Sequence, residues 1–169
     1  MWRKTRSRNS GTRCVGTDPN RNWGYKWGGA GASMNPCSET YRGQSSFSEV
    51  ETAAIRDYLT EESSLKSFKL FLTYHSYGQY ILYPWGYARV DHPNRERMHA
   101  LGELAEEAKR ASGGNRYRVG SSAKLLYPAA GNIYLMKHYD SFAFSPQKNQ
   151  NEILKHLILN NALSFRCKR

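Results

Sequence analysis

The chain is expected to adopt an α/β fold built on a central, mainly parallel mixed sheet flanked by helices. Two observations predict it. Strand-like apolar runs at 68–74 and 80–83 alternate with helix-periodic segments ending near residues 60 and 111, the order produced when helices cover a parallel sheet. The composition is globular, with 39% hydrophobic and 13% aromatic residues in a chain of 169, long enough for one domain with a real core. No internal repeat is found. No apolar run reaches the roughly eighteen residues of a membrane-spanning helix.

Residues 5–46 read as a long irregular segment punctuated by Pro19, Gly24, Gly28, Gly29, Gly31 and Pro36. Loops this long inside a compact domain are usually functional. Ser46-Phe47-Ser48-Glu49 has capping-box spacing, as does Ser48 with Glu51. A helix to about Thr60 follows, with Val50, Ala54, Tyr58 and Leu59 on one side. Residues 68–74 read as a largely buried strand, and 80–83 as a short second one ended by Pro84. Pro93 stands near the start of a helix through about Ala111, with Met98, Leu101, Leu104, Ala105 and Ala108 on one face, and Gly113-Gly114 stops it. Residues 116–119 and 124–127 read as short extended pieces. A last helix is expected over roughly 148–165.

The formal net charge is +11, and the excess is uneven: Arg3, Lys4, Arg6, Arg8 and Arg13 lie within a stretch that contains no acid. A basic surface favours acidic partners, which keeps a polyanion-binding module among the readings, although a solvated charge excess explains it more simply. The N-terminus lacks a signal-peptide pattern, because Met1-Trp2-Arg3-Lys4 leads into polar sequence. The cysteines are Cys14, Cys37 and Cys167, without C-x-x-C spacing, which argues against a cysteine zinc site. A disulfide between Cys14 and Cys37 would close a loop rich in Gly, Asn and Ser. Closure would stabilise the fold by about 3 kcal/mol and imply an oxidising compartment.

Two features carry chemistry. In Asp18-Pro19-Asn20-Arg21-Asn22-Trp23, Asn20 offers amide donors beside the rigid guanidinium fork of Arg21. Side by side in a Pro-stiffened turn, they make a socket for a carboxylate such as a peptide C-terminus. His75 ends the buried strand and opens Ser76-Tyr77-Gly78-Gln79, and ligands bind beyond the carboxyl ends of strands in open α/β sheets. A neutral imidazole there can ligate a metal, yet a lone histidine is more often a hydrogen-bonded structural residue. A zinc site normally needs three protein ligands, and neither H-x-x-E nor H-E-x-x-H occurs.

Further motifs widen the pattern. Trp2-Arg3-Lys4-Thr5-Arg6-Ser7, Cys14, Thr17-Asp18-Pro19-Asn20-Arg21-Asn22-Trp23, Gly31-Ala32-Ser33 and Pro36-Cys37-Ser38-Glu39-Thr40-Tyr41-Arg42-Gly43 follow one another. Ser48-Glu49-Val50-Glu51, His75-Ser76-Tyr77, Leu82-Tyr83-Pro84 and Leu126-Tyr127-Pro128 come after. In order and spacing this series strongly resembles the zinc metallocarboxypeptidases of the pancreatic A/B type, over residues 1 to about 131. The resemblance implies hydrolysis of the C-terminal residue of peptides with one zinc ion. It implies His75 as the third zinc ligand, Asn20 and Arg21 as the grip on the terminal carboxylate, and Arg3 as the group stabilising the oxyanion. By the same resemblance Ser76 and Tyr77 line outer substrate subsites, Tyr127 closes over the bound residue, and Cys14 pairs with Cys37.

The departures from that family are specific. Its two other zinc ligands come from an H-x-x-E segment, which is absent here. After Gly131 the family continues with an Asp-Trp segment and a strand bearing the glutamate base, whereas this chain reads Asn132-Ile133-Tyr134-Leu135. Ser141-Phe142-Ala143-Phe144 is similar to that strand, with Ser145 in the glutamate's place, and a serine hydroxyl cannot act as the carboxylate base. The chain thus divides into a partial catalytic domain, 1–131, and a divergent tail, 132–169. Met1 is expected to be an internal position of a longer protein, and the tail to come from splicing, a gene-model error or a frameshift. Made alone, the chain is expected to be a marginally stable, extracellular monomer with negligible peptidase activity and no specific nucleic-acid partner. A non-catalytic binder of peptide C-termini is the alternative. The pocket-base residue lies past Gly131, so the preferred C-terminal residue is not readable.

Overall fold

Among the described residues, four short strands meet in one sheet although their sequence order is scrambled within it. The computed structural model describes residues 2–60, 71–75, 77–133 and 141–145. The expected helix at 148–165, Ser76, Cys167 and the first residues of the strand at 68–74 lie outside these. Strands β1 (Phe71–Tyr74), β2 (Tyr80–Tyr83), β3 (Arg118–Ser121) and β4 (Ser141–Ser145) are ordered β1-β4-β2-β3. β1 runs parallel to β4 and β2 parallel to β3, while β2 and β4 are antiparallel. This is the expected mainly parallel mixed sheet. The late strand fills its interior, with Thr73 opposite Ala143 and Leu82 opposite Ala143 from the other side.

Helix α1 (Val50–Thr60) has the expected extent, but of the four residues expected on one side only Leu59 is buried. Val50 and Tyr58 are exposed, as is Ala54, whereas Thr52 and Leu59 are buried. The cause is a polar anchor that apolar periodicity cannot reveal: Thr52 Oγ1 donates to Asn22 Oδ1 at 2.7 Å and turns that face inward. The same Asn22 oxygen accepts the Glu49 N–H at 3.2 Å, so a distant side chain does the capping that the local Ser-x-x-Glu spacing suggested.

Helix α2 (Arg95–Ala111) covers β2 and β3. Met98 is buried against Ile81, Tyr83 and Tyr117, with Leu101 and Ala105 beside it. Leu104, expected on this face, is 61% exposed. Gly102 faces the sheet instead, and a Cβ there would stand 2.5 Å from Val119 Cγ1, so its bare backbone sets the close approach. Glu106 and Lys109 are also buried, because each meets backbone beyond the helix: Glu106 Oε1 accepts the Tyr117 N–H and Lys109 Nζ donates to Asn115 O. The helix ends as expected, at Gly113 with φ +81°, where the Gly113 and Gly114 amides reach back to Arg110 O and Lys109 O. Residues 122–125 form a single helical turn, α3 (Ser122–Leu125), closed by Leu126 N–H on Ser122 O, in place of the extended piece expected at 124–127.

The segment before residue 46 is irregular apart from a 3-10 turn, Pro19–Arg21, and two isolated bridges. It is held to α1 through Glu49, which is 5% exposed. Thr5 Oγ1 and Ser7 Oγ donate to its Oε2 at 2.5 and 2.6 Å, and Ser48 Oγ donates to Oε1 at 2.9 Å. Burial alone would push this carboxyl up, but the hydroxyl donors of Ser7, Thr5 and Ser48 together hold it below the usual glutamate value of 4.5. A carboxylate lowered on folding contributes stability above its unfolded pKa, and that contribution is lost as pH falls through the folded value. Stability is therefore expected to drop on acidification below about pH 4.5, more steeply in the native chain than in Glu49→Gln. Urea unfolding across that range measures it, and identical slopes would remove Glu49 as the source.

Candidate functional site

Asp18 organises the site from beneath. Its side chain caps the 3-10 turn, with Oδ1 accepting the Asn20 N–H at 3.0 Å, and Pro19 follows at the first helical position. Oδ2 accepts two bonds from Arg3, from Nε at 3.0 Å and Nη2 at 2.8 Å. Arg21 Nη1 lies 3.9 Å from that same oxygen. One buried carboxylate thus holds two guanidinium groups whose residues are 18 positions apart in sequence.

Arg21 is itself buried, and two of its nitrogens are occupied: Nε donates to Gly31 O and Nη1 to Asn20 O, both at 2.8 Å. Asn20 Oδ1 accepts the Ile133 N–H at 3.3 Å. What remains after this pairing is donors. Among the described residues, Arg3 Nη1, Arg21 Nη2 and Asn20 Nδ2 make no bond within the protein, while the carboxylate oxygens of Asp18 and the amide oxygen of Asn20 are engaged. N–H groups left over beside net positive charge have the chemistry that suits an anion.

His75 follows β1 and is partly buried. Burial lowers its pKa, the positive charges of Arg3 and Arg21 lower it further, and Asp18 opposes them. The imidazole therefore stands within electrostatic reach of both arginines. Tyr127 is 58% exposed and precedes Pro128, whose carbonyl lies against Gly31, the residue that anchors Arg21. Tyr77 is also exposed. Cys14 and Cys37 form the expected disulfide. Lys4 Nζ reinforces it by donating to Pro36 O and Ser38 O, on either side of Cys37.

The fit to a zinc ion is partial. A neutral His75 is the form that binds metal, but the charge that acts on it most is the Arg3 guanidinium, which disfavours a cation and which Asp18 opposes. No group of three His, Cys, Asp or Glu side chains able to hold a metal occurs among the described residues. These residues alone do not make a zinc site.

Sequence reasoning missed the role of Asp18. Its signal was present: an acid at the capping position before Pro, next to a buried arginine that needs a counter-charge.

Comparison with known proteins gives a consistent picture. The family model described as zinc carboxypeptidase matches residues 1–155. Carboxypeptidase A4 of Mus musculus is 44% identical over 132 residues, which are 78% of this chain and 31% of that protein. Carboxypeptidase B of Homo sapiens is 44% identical over 131 residues, with the same two shares. Among solved structures, bovine thrombin-activatable fibrinolysis inhibitor in complex with tick carboxypeptidase inhibitor superposes with a TM-score of 0.78 at 36% identity, covering 86% of this chain and 50% of that one. The carboxypeptidase A from Helicoverpa armigera gives 0.77 at 34%, covering 86% and 37%. The chain spans about a third of the length of the curated relatives it matches.

Proposed function

The chain belongs to the zinc carboxypeptidase family, and we propose that it forms the substrate-holding part of a peptidase that removes C-terminal residues from peptides and proteins. One observation carries this reading: buried Asp18 ties Arg3 and Arg21 to the turn of Asn20, and among the described residues each of these three keeps a side-chain nitrogen without a protein acceptor. Asn20 and Arg21 grip the terminal carboxylate. Arg3, half exposed, meets the carbonyl oxygen of the last peptide bond and the charge that develops on it. Tyr77 and Ser76 serve the residues before that bond, and Tyr127 covers the bound end.

Cutting requires more than holding. The described residues offer His75 alone toward a metal, and Ser145 stands where the family pattern calls for a glutamate base. The 169-residue chain by itself is therefore read as a binder of peptide C-termini without turnover, with the zinc and base machinery belonging to the longer family domain. Its disulfide favours an oxidising, extracellular setting. No helix among the described residues is long and apolar enough to cross a membrane.

The test is a titration of the chain with one peptide in two forms, free acid and C-terminal amide. The free acid is expected to bind at least about tenfold more tightly, the worth of a charge-assisted bidentate pair. Arg21→Lys, which keeps charge but loses the fork, should shrink the ratio, and Arg21→Ala should abolish it. Equal binding of acid and amide would overturn the reading, and a steep salt dependence in that case would indicate a polyanion site. Release of C-terminal residues that a chelator abolishes would overturn the absence of turnover.

A further inference from the structure

Asp18 does more than hold its neighbours in place. Its side chain is 1% exposed and sits among two permanently positive groups, Arg3 at 2.8 Å and Arg21 at 3.9 Å, so that one positive charge is left over at this point. It also decides which edges of those groups remain available. The Nε–Nη2 edge of Arg3, one of its edges able to chelate two oxygens of a tetrahedral anion, is turned onto Asp18 Oδ2.

We propose that Asp18 is the specificity-determining residue of the socket, setting its charge so that it takes a singly charged carboxylate and rejects a doubly charged anion. A monoanion neutralises the cluster, whereas a dianion leaves an uncompensated negative charge beside the buried Asp18 carboxylate, which is costly away from water. With Asp18 neutral, the same two arginines would match a dianion, and the Arg3 fork would be free to bind it. The inference rests on the carboxylate-binding reading above.

The experiment uses the whole chain and two otherwise identical peptides, one ending in a carboxylate and one in the phosphonate isostere, with the amidated peptide as reference. In the native chain at a pH where the phosphonate is doubly charged, the carboxylate peptide is expected to bind about tenfold more tightly. Lowering the pH until the phosphonate is singly charged should narrow that ratio. Asp18→Asn keeps an acceptor for the Asn20 N–H and is expected to invert the ratio in favour of the phosphonate, which misfolding cannot do because it would weaken both peptides. An unchanged ratio in folded Asp18→Asn would overturn the proposal. Where that variant fails to fold, the native chain decides: tighter binding of the doubly charged than of the singly charged phosphonate overturns it, and weaker binding supports it. Failure to distinguish carboxylate from amide removes the carboxylate reading and this proposal together, whereas a clear acid-over-amide preference with no effect of phosphonate charge removes this proposal alone.

Discussion

Asn22→Ala is expected to cost about 3–5 kcal/mol of folding stability, because it strips a fully buried amide from five partners at once. Asn22 is 0% exposed. Its Nδ2 donates to Arg42 O at 2.8 Å, Ser45 O at 3.0 Å and Ser48 Oγ at 2.9 Å. Its Oδ1 accepts Glu49 N–H and Thr52 Oγ1. Alanine removes all five bonds at once, leaves the buried Glu49 N–H without its acceptor and opens a void the size of a carboxamide. Asn22→Asp should be no better, since a second oxygen would then face the carbonyls of Arg42 and Ser45. Against a typical domain stability of about 5–15 kcal/mol, either change removes a large share. A loss of less than about 1 kcal/mol in urea unfolding would show that water replaces the amide and that the loop segment is held mainly by other contacts.

The same residue shows why part of the architecture was legible in the sequence and part was not. Local signals read correctly where the physics is local. The Gly113-Gly114 stop, the Tyr80–Tyr83 strand and the Pro-stiffened turn of Asn20 and Arg21 depend on residues within a few positions of one another. The inward faces of the helices do not. Thr52 turns inward because Asn22 receives it, 30 residues away, and Gly102 replaces Leu104 against the sheet because Val119 needs the space. Apolar periodicity assumes that burial follows hydrophobicity, and both helices break that assumption with polar or absent side chains. The turn 122–125 is closed by one bond to Leu126, too short a unit for any period to mark. In the site, the sequence motifs picked out the donors. The acceptor that arranges them, Asp18, carries only a local capping signal in the sequence, and the backbone that orients Asn20, the Ile133 amide 113 residues on, emerges from the fold.

That long-range contact makes Gly131 the position where backbone geometry and binding are most tightly joined. Gly131 has φ +67°, and a Cβ there would collide with the Arg21 carbonyl oxygen and stand 3.3 Å from Trp23 O. Its own carbonyl accepts the Trp23 N–H at 2.9 Å. Gly131→Ala must therefore push residues 131–133 away from the turn, breaking that bond and the one from Ile133 N–H to Asn20 Oδ1. Gly113→Ala is the matched control, since Gly113 has φ +81° but nothing within 4 Å of a Cβ. The control should show the backbone strain alone, about 1 kcal/mol. Gly131→Ala adds a steric clash and lost hydrogen bonds, for about 3 kcal/mol in all. It should also release the Asn20 amide to rotate, so that the preference for a free-acid peptide over its amide falls while Gly113→Ala leaves it intact. If the two variants match in both urea midpoint and peptide preference, the 131–133 segment does not hold the carboxylate grip, and Asn20 must be oriented by the turn alone.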